Sequence, residues 1–203
     1  YVKDRRWFGG KARTIRSTVI AEVIHFPFNS ALAYLTSISI SYRDGDPETY
    51  VLPLAIATGD EALRVQRDLP QAIVSSLRGE EGDGVLYEAV WENGFCQALL
   101  NAISRRRRFK GILGELVGVP ARAFQRLRGP LDTLLPASPL KAEQSNTSIA
   151  YGEQLILKIF RHVDEGMNPD LEISRFLTER AAFPHTAPLS GALEYRHNQG
   201  EVR

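Results

Sequence analysis

A lysine interrupts an apolar run at Leu155-Ile156-Leu157-Lys158-Ile159-Phe160, and an ammonium placed among β-favouring residues needs a partner. Upstream lies a polar cluster, Glu143-Gln144-Ser145-Asn146-Thr147-Ser148. Downstream, Glu172 falls in the first turn of a predicted helix. Short hydroxyl and amide side chains, backbone N–H groups, a lysine held on a strand and a carboxylate to brace it are the parts needed to grip a polyphosphate. Phosphoryl transfer asks little covalent chemistry of a protein and much rigid positioning of phosphate oxygens. The candidate site is therefore Lys158, Glu172 and the segment Ser145, Asn146, Thr147 and Ser148, with the loop read as Gln144 to Ser148. A second reading stays open, in which Lys158 snorkels from an edge strand and Glu172 only favours a helix start.

Those side chains need elements to hold them. Leu140 to Ala142 and Ser148 to Tyr151 read as short extended pieces, and Tyr151-Gly152-Glu153-Gln154 as a turn leading into the lysine strand. Asn168-Pro169 is a helix start, and Leu171, Ser174, Phe176 and Leu177 give Asp170 to Arg180 an amphipathic pattern. A strand follows from about Leu189 to Arg196. From residue 140 the order is strand, loop, strand, lysine strand, helix, strand, as in the N-terminal lobe of a protein-kinase-like fold. The loop lacks the glycines of G-x-G-x-x-G, and Lys158 lacks the full V-A-I-K context.

The first part of the chain reads differently. Val19 to Phe26, Ala31 to Tyr42, Thr49 to Ala57, Ala72 to Leu77 and Val85 to Ala89 are candidate strands separated by short turns, which favours an antiparallel meander. Ile20, Val23, Ile38, Ile40, Val51, Leu54, Ile56 and Ile73 are the expected core of this unit. A helix is predicted from about Glu92 to Arg107, with Phe95, Leu99, Ala102 and Ile103 on one face. Gly111 to Pro139, rich in Gly and Pro, reads as connecting structure with one or two short elements. The expected organisation is a β-rich unit over 1–90 and a second unit over 91–203.

Composition narrows the function classes. With 203 residues of which 43% are hydrophobic, the chain can build real cores. Its 25 basic and 24 acidic residues leave a net charge of +1, so no global field argues for nucleic acid or a membrane surface. The single cysteine, Cys96, excludes an intrachain disulfide framework and fits a cytoplasmic location. No apolar run approaches the roughly 20 residues of a membrane span. His25, His162, His185 and His197 lack metal-ligand spacing, so no metal site is expected within the chain. Trp7 to Arg13 contains Gly-Lys without the phosphate-loop spacing and reads as a structural turn. Arg105 to Arg108 reads as a solvated, dipole-favoured helix end rather than a nucleic-acid contact. The last residues, Leu193 to Arg203, look like a hairpin whose second strand has only begun, which suggests part of a longer protein.

The stretches EQSNTSIAYGEQLILKIFR, GMNPDLEISRFLTE, LSGALEYR and, near the start, RWFGGKAR resemble the bacterial maltokinases, including the kinase part of trehalose synthase/maltokinase fusions. The resemblance implies an α+β fold: an N-terminal cap of antiparallel sheet with helices, then a kinase-like N-lobe, with the C-lobe absent from this chain. It implies ATP-dependent phosphorylation of maltose to maltose 1-phosphate for α-glucan synthesis, with Mg2+ held by the absent lobe. By motif, Lys158 resembles the phosphate-binding lysine, Glu172 its helix partner, and Ser145 to Ser148 the phosphate loop. No catalytic base is expected within this stretch, and the piece alone should be inactive. The implied partners are ATP, a disaccharide and, as partner or fusion, a trehalose synthase. The alternative is a non-catalytic regulatory or interaction module built on a kinase-like lobe.

Overall fold

Alternation of apolar and polar residues organises the first 90 residues into long strands, and the computed structural model, which describes residues 1–79, 82–130, 133–140 and 145–197, shows how they pair. β1 (Ile15–Phe28), β2 (Ala31–Tyr42), β3 (Glu48–Thr58), β4 (Ile73–Gly79) and β5 (Gly82–Glu88) form an antiparallel sheet in the order β1-β2-β3-β5-β4. All five strands expected from the sequence are present. β3 shows why the sheet is covered on both sides: Tyr50, Leu52 and Leu54 face one apolar cluster, Ala55 and Ala57 the other. The first cluster seats Trp7 and Phe8, delivered by short 3-10 turns at Val2–Asp4 and Gly9–Ala12.

Between β3 and β4 the sequence reading assigned no element, yet α1 (Gly59–Asp68) lies there. Its signal was short: Asp60 and Glu61 in the first turn, and buried Ala62 and Val65 at i, i+3 spacing. The core expectation also needs correction. Ile40 and Leu54 are buried, Val23, Ile38, Val51 and Ile73 are half-buried, and Ile20 and Ile56 are exposed. A register shift between Ile20 and Glu22 changes the phase of β1, so the even positions Ile24, Phe26 and Phe28 turn inward.

α2 (Asn93–Ser104) carries the expected face inward and adds Cys96 and Leu100 to it. It packs against β1, β7 (Gly114–Pro120), β8 (Ala137–Pro139) and β12 (Gly191–His197). Phe26 sits 4.4 Å from the ring of Phe109 and 5.5 Å from that of Phe95, aromatic pairs worth about 0.5–1.5 kcal/mol each beyond burial. The Gly-rich segment, which follows β6 (Arg108–Lys110), holds more structure than expected: β7, α3 (Phe124–Arg128) and β8. Gly118 lets α2 touch β7, since a Cβ there would stand 2.0 Å from the Ala102 carbonyl oxygen. Glycine here marks close approach, not a loop.

β8 joins β9 (Asn146–Tyr151) and β10 (Leu155–Phe160) in a second sheet, ordered β10-β9-β8, while β12, β7 and β6 make a third. β11 (His162–Val163) leaves β10 and pairs with Tyr50 and Thr49 of β3. α4 (Pro169–Glu179) begins as predicted, with Asn168 Oδ1 accepting from the Leu171 amide at 3.3 Å. The strand Leu155–Phe160 thus lies outside the sheet of the first 90 residues, but one core cluster draws Phe26, Phe28 and Ala57 together with Phe95, Ile149 and Tyr151. Gln144 of the expected loop and the second strand of the expected terminal hairpin lie outside the described residues. No helix among the described residues is long and apolar enough to cross a membrane.

Candidate functional site

The hairpin of β9 and β10 presents two different faces. Leu155, Leu157 and Ile159 pack on the core, so by alternation Ile156, Lys158 and Phe160 point outward. Antiparallel partners share a face, and the register pairs Lys158 with Ser148, Phe160 with Asn146, and Ile159 with Thr147. Lys158, Ser148 and Asn146 therefore lie on one side of the sheet. Thr147 lies on the other.

The lysine has a partner, and it is not the expected one. Lys158 Nζ stands 2.9 Å from Asp170 Oδ2, and 5.3 Å from the centre of the Phe160 ring. Glu172 is exposed and takes no part in this ion pair. The correction follows from helix geometry: Asp170 precedes Glu172 by half a turn, which places it on the hairpin side of α4. Both side chains of the observed pair are open to water, 43% and 61% exposed, so the bond is worth about 0–1 kcal/mol. A lysine held this weakly can turn to another anion.

The expected loop is also shorter than the sequence reading had it. Asn146, Thr147 and Ser148 are the opening of β9, and only Ser145 of the named residues precedes the strand. Ser145 is exposed, and its hydroxyl accepts from Asn146 Nδ2 at 3.3 Å. Ser148 is buried beside Lys158. Thr147 Oγ1 accepts from Arg161 Nε at 2.8 Å, so its hydroxyl is committed to the protein interior.

Arg161 was missed. It is 1% exposed; its Nη1 donates to Glu88 Oε1 at 2.7 Å and to the Val51 carbonyl at 3.2 Å, and its guanidinium lies 5.0 Å from the Trp7 ring. Its own carbonyl accepts from the Val51 amide at 2.8 Å. The signal was present in the alternation, because position 161 continues the inward phase of Leu157 and Ile159, where an unpaired charge is not tolerated. Glu88, 3% exposed at the end of β5, supplies the charge.

Two other sequence features resolve structurally. Within Trp7 to Arg13, the Gly9 amide donates to Tyr50 Oη and Arg13 pairs with Glu48 at 2.9 Å, over the Tyr42 ring, so the segment is a structural turn anchored by buried Trp7, Phe8 and Gly10. Burial would raise the Glu48 carboxyl, but the phenols of Tyr42 and Tyr50 and the Arg13 charge hold it below its ordinary value. Arg105 to Arg107 extend from the end of α2 into solvent, and Arg108 pairs with Glu115 across β6 and β7.

An N-terminal antiparallel sheet of long strands, closed by turns carrying Trp7 and Phe8, precedes the hairpin that carries Lys158. Residues 1–91 match the maltokinase N-terminal cap domain, a match that ends at the 3-10 turn Ala89–Trp91 just ahead of α2. Over those residues the chain is similar to the N-terminal cap domain of the maltokinases.

Proposed function

We propose that this chain is the N-terminal part of an ATP-dependent sugar kinase, in which residues 91–203 hold an intermediate region and a kinase-like N-lobe and the outer face of the β9–β10 hairpin receives the phosphates. The observation that carries the reading is Lys158: exposed, beside Ser148 and Asn146 on one face, and ion-paired with Asp170 at a helix start. The donor set suits a polyphosphate. One mobile-ended cation and the neighbouring hydroxyl and amide groups of Ser145 and Asn146 can meet phosphate oxygens, whereas Thr147 is turned inward. Glu172 can join only by displacing Asp170 as the lysine's partner, so Asp170 takes the bracing role in this reading.

The acceptor is maltose, phosphorylated on its anomeric hydroxyl. The hydroxyl oxygen forms the new P–O bond, the bond from the γ-phosphorus to the β–γ bridging oxygen breaks, ADP departs, and the hydroxyl proton goes to a base. That base and the carboxylates for Mg2+ belong to the C-lobe of a maltokinase, so the present chain alone is inactive. Mg2+ supplies charge neutralisation of the phosphates. Lys158 orients and neutralises from the N-lobe side. A cytoplasmic location, where ATP is available, and a trehalose synthase as partner or fusion complete the proposal.

The test is made in the full-length protein. Lys158→Met should lower phosphoryl transfer to maltose by about two to three orders of magnitude, as removal of an electrostatic transition-state contact does, while the fold persists. Wild-type turnover in that variant would show that the lysine is structural. A full-length protein without transfer to any sugar would favour the non-catalytic interaction module instead.

A further inference from the structure

At its open end the lysine-bearing hairpin is linked to the cap through three polar side chains. Glu88 ends β5 of the cap sheet; Arg161 follows β10 three residues after Lys158; Thr147 lies opposite Ile159 near the start of β9. Arg161 joins them, donating to Glu88 Oε1 at 2.7 Å and to Thr147 Oγ1 at 2.8 Å, with both acceptors fixed by backbone elements of different sheets. The main chain repeats the link, since the Arg161 carbonyl accepts from Val51 and β11 then pairs with β3.

A buried ion pair gains little over apolar packing because desolvation offsets the attraction, but it permits one geometry and penalises others. Here the permitted geometry is the position of the first residues of β9. Elsewhere β9 is held by apolar burial of Ile149 and by Tyr151, whose phenol donates to the Cys96 carbonyl at 2.7 Å. Those anchors lie toward the turn of the hairpin. At the open end, where Asn146 and Ser145 emerge, the bond from Arg161 to Thr147 is a side-chain anchor that leads to the cap.

We infer that Thr147 is a positioning residue through which the cap, by way of Glu88 and Arg161, sets the placement of Ser145 and Asn146 for polyphosphate binding. This rests on the functional reading above. It assigns the cap a part in nucleotide affinity. The charged link is not itself a ligand site: Arg161 is enclosed, and its Nε and Nη1 donate to Thr147, Glu88 and Val51.

The experiment compares Thr147→Val and Thr147→Ser in the full-length protein. Valine keeps the branched shape and removes the acceptor, while Arg161 retains Glu88 and the Val51 carbonyl, so the fold should survive. MgATP affinity is read by titration calorimetry, KM for ATP and for maltose by initial rates, and exchange of the Asn146 and Phe160 amides by mass spectrometry. Thr147→Val should weaken MgATP binding and raise its KM by about tenfold, leave KM for maltose within about twofold, and speed amide exchange at the open end of the hairpin; Thr147→Ser should restore all three. Wild-type MgATP affinity in Thr147→Val, or an affinity loss that serine does not rescue, overturns the inference alone. A wild-type protein that binds no MgATP overturns the functional reading, and the inference with it.

Discussion

Glu22 offers a quantitative test of how the cap is joined to the rest of the chain. The register shift in β1 turns its carboxylate inward, where it is 4% exposed and accepts from the amides of Ile112 (2.6 Å), Leu113 (2.9 Å) and Val23 (2.8 Å) and from the Tyr195 hydroxyl (2.7 Å). One side chain thus ties β1 to the turn between β6 and β7 and to β12. In Glu22→Gln one oxygen becomes an NH2 group facing the Leu113 amide and the Tyr195 hydroxyl; the hydroxyl can rotate to accept, but the amide cannot. Losing the charge assistance and leaving one buried N–H unpaired should cost about 3 kcal/mol. For a chain of this length that lowers Tm by about 6–12 °C. Differential scanning calorimetry near neutral pH measures it. Burial alone would raise the Glu22 carboxyl, but the Tyr195 phenol and the three amides lower it below its ordinary value. The folded state therefore binds the proton less readily than the unfolded chain, and the stabilisation is complete above the unfolded value of about 4.3 and fades as pH falls through the folded one. Wild type and Glu22→Gln should converge in Tm as the medium is acidified through that window. A variant melting within about 2 °C of wild type near neutral pH, or a gap unchanged by acid, would refute this account.

Three further outcomes are expected. Gly118→Ala, whose Cβ would meet the Ala102 backbone oxygen at 2.0 Å, should lower stability by at least about 1–3 kcal/mol in urea unfolding, and an unchanged midpoint would show that α2 and β7 can part freely. The Cys96 thiol, pushed up to about 12 by burial and donating to the Val90 carbonyl, should react with a disulfide-exchange reagent only at the rate of unfolding; prompt labelling of the native protein would contradict its enclosure. In the full-length protein Asp170→Asn should raise KM for ATP by up to about fivefold, the scale of an exposed ion pair, and Glu172→Gln should leave it unchanged; the opposite ranking would return Glu172 to the bracing role.

Local patterns carried much of this protein. The five cap strands, α2 with its inward face, the Asn168 cap of α4 and the turn at Tyr151 to Gln154 follow from alternation, helical spacing and capping chemistry, which act over a few residues. The same alternation was enough to set Lys158 on the face opposite Leu157 and Ile159. What the sequence could not decide required pairing between distant segments. The bulge in β1 moved the core from Ile20 to Ile24, and the Gly-rich segment became β7 because β12, more than 70 residues later, supplies its partner strand. Asp170 rather than Glu172 meets Lys158 because the approach of α4 to the hairpin, a tertiary quantity, selects one position of the first turn. Arg161 was visible as a charge in an inward phase, but its partners lie 14, 73 and 110 residues away, and only the folded chain brings Thr147, Glu88 and Val51 around one guanidinium.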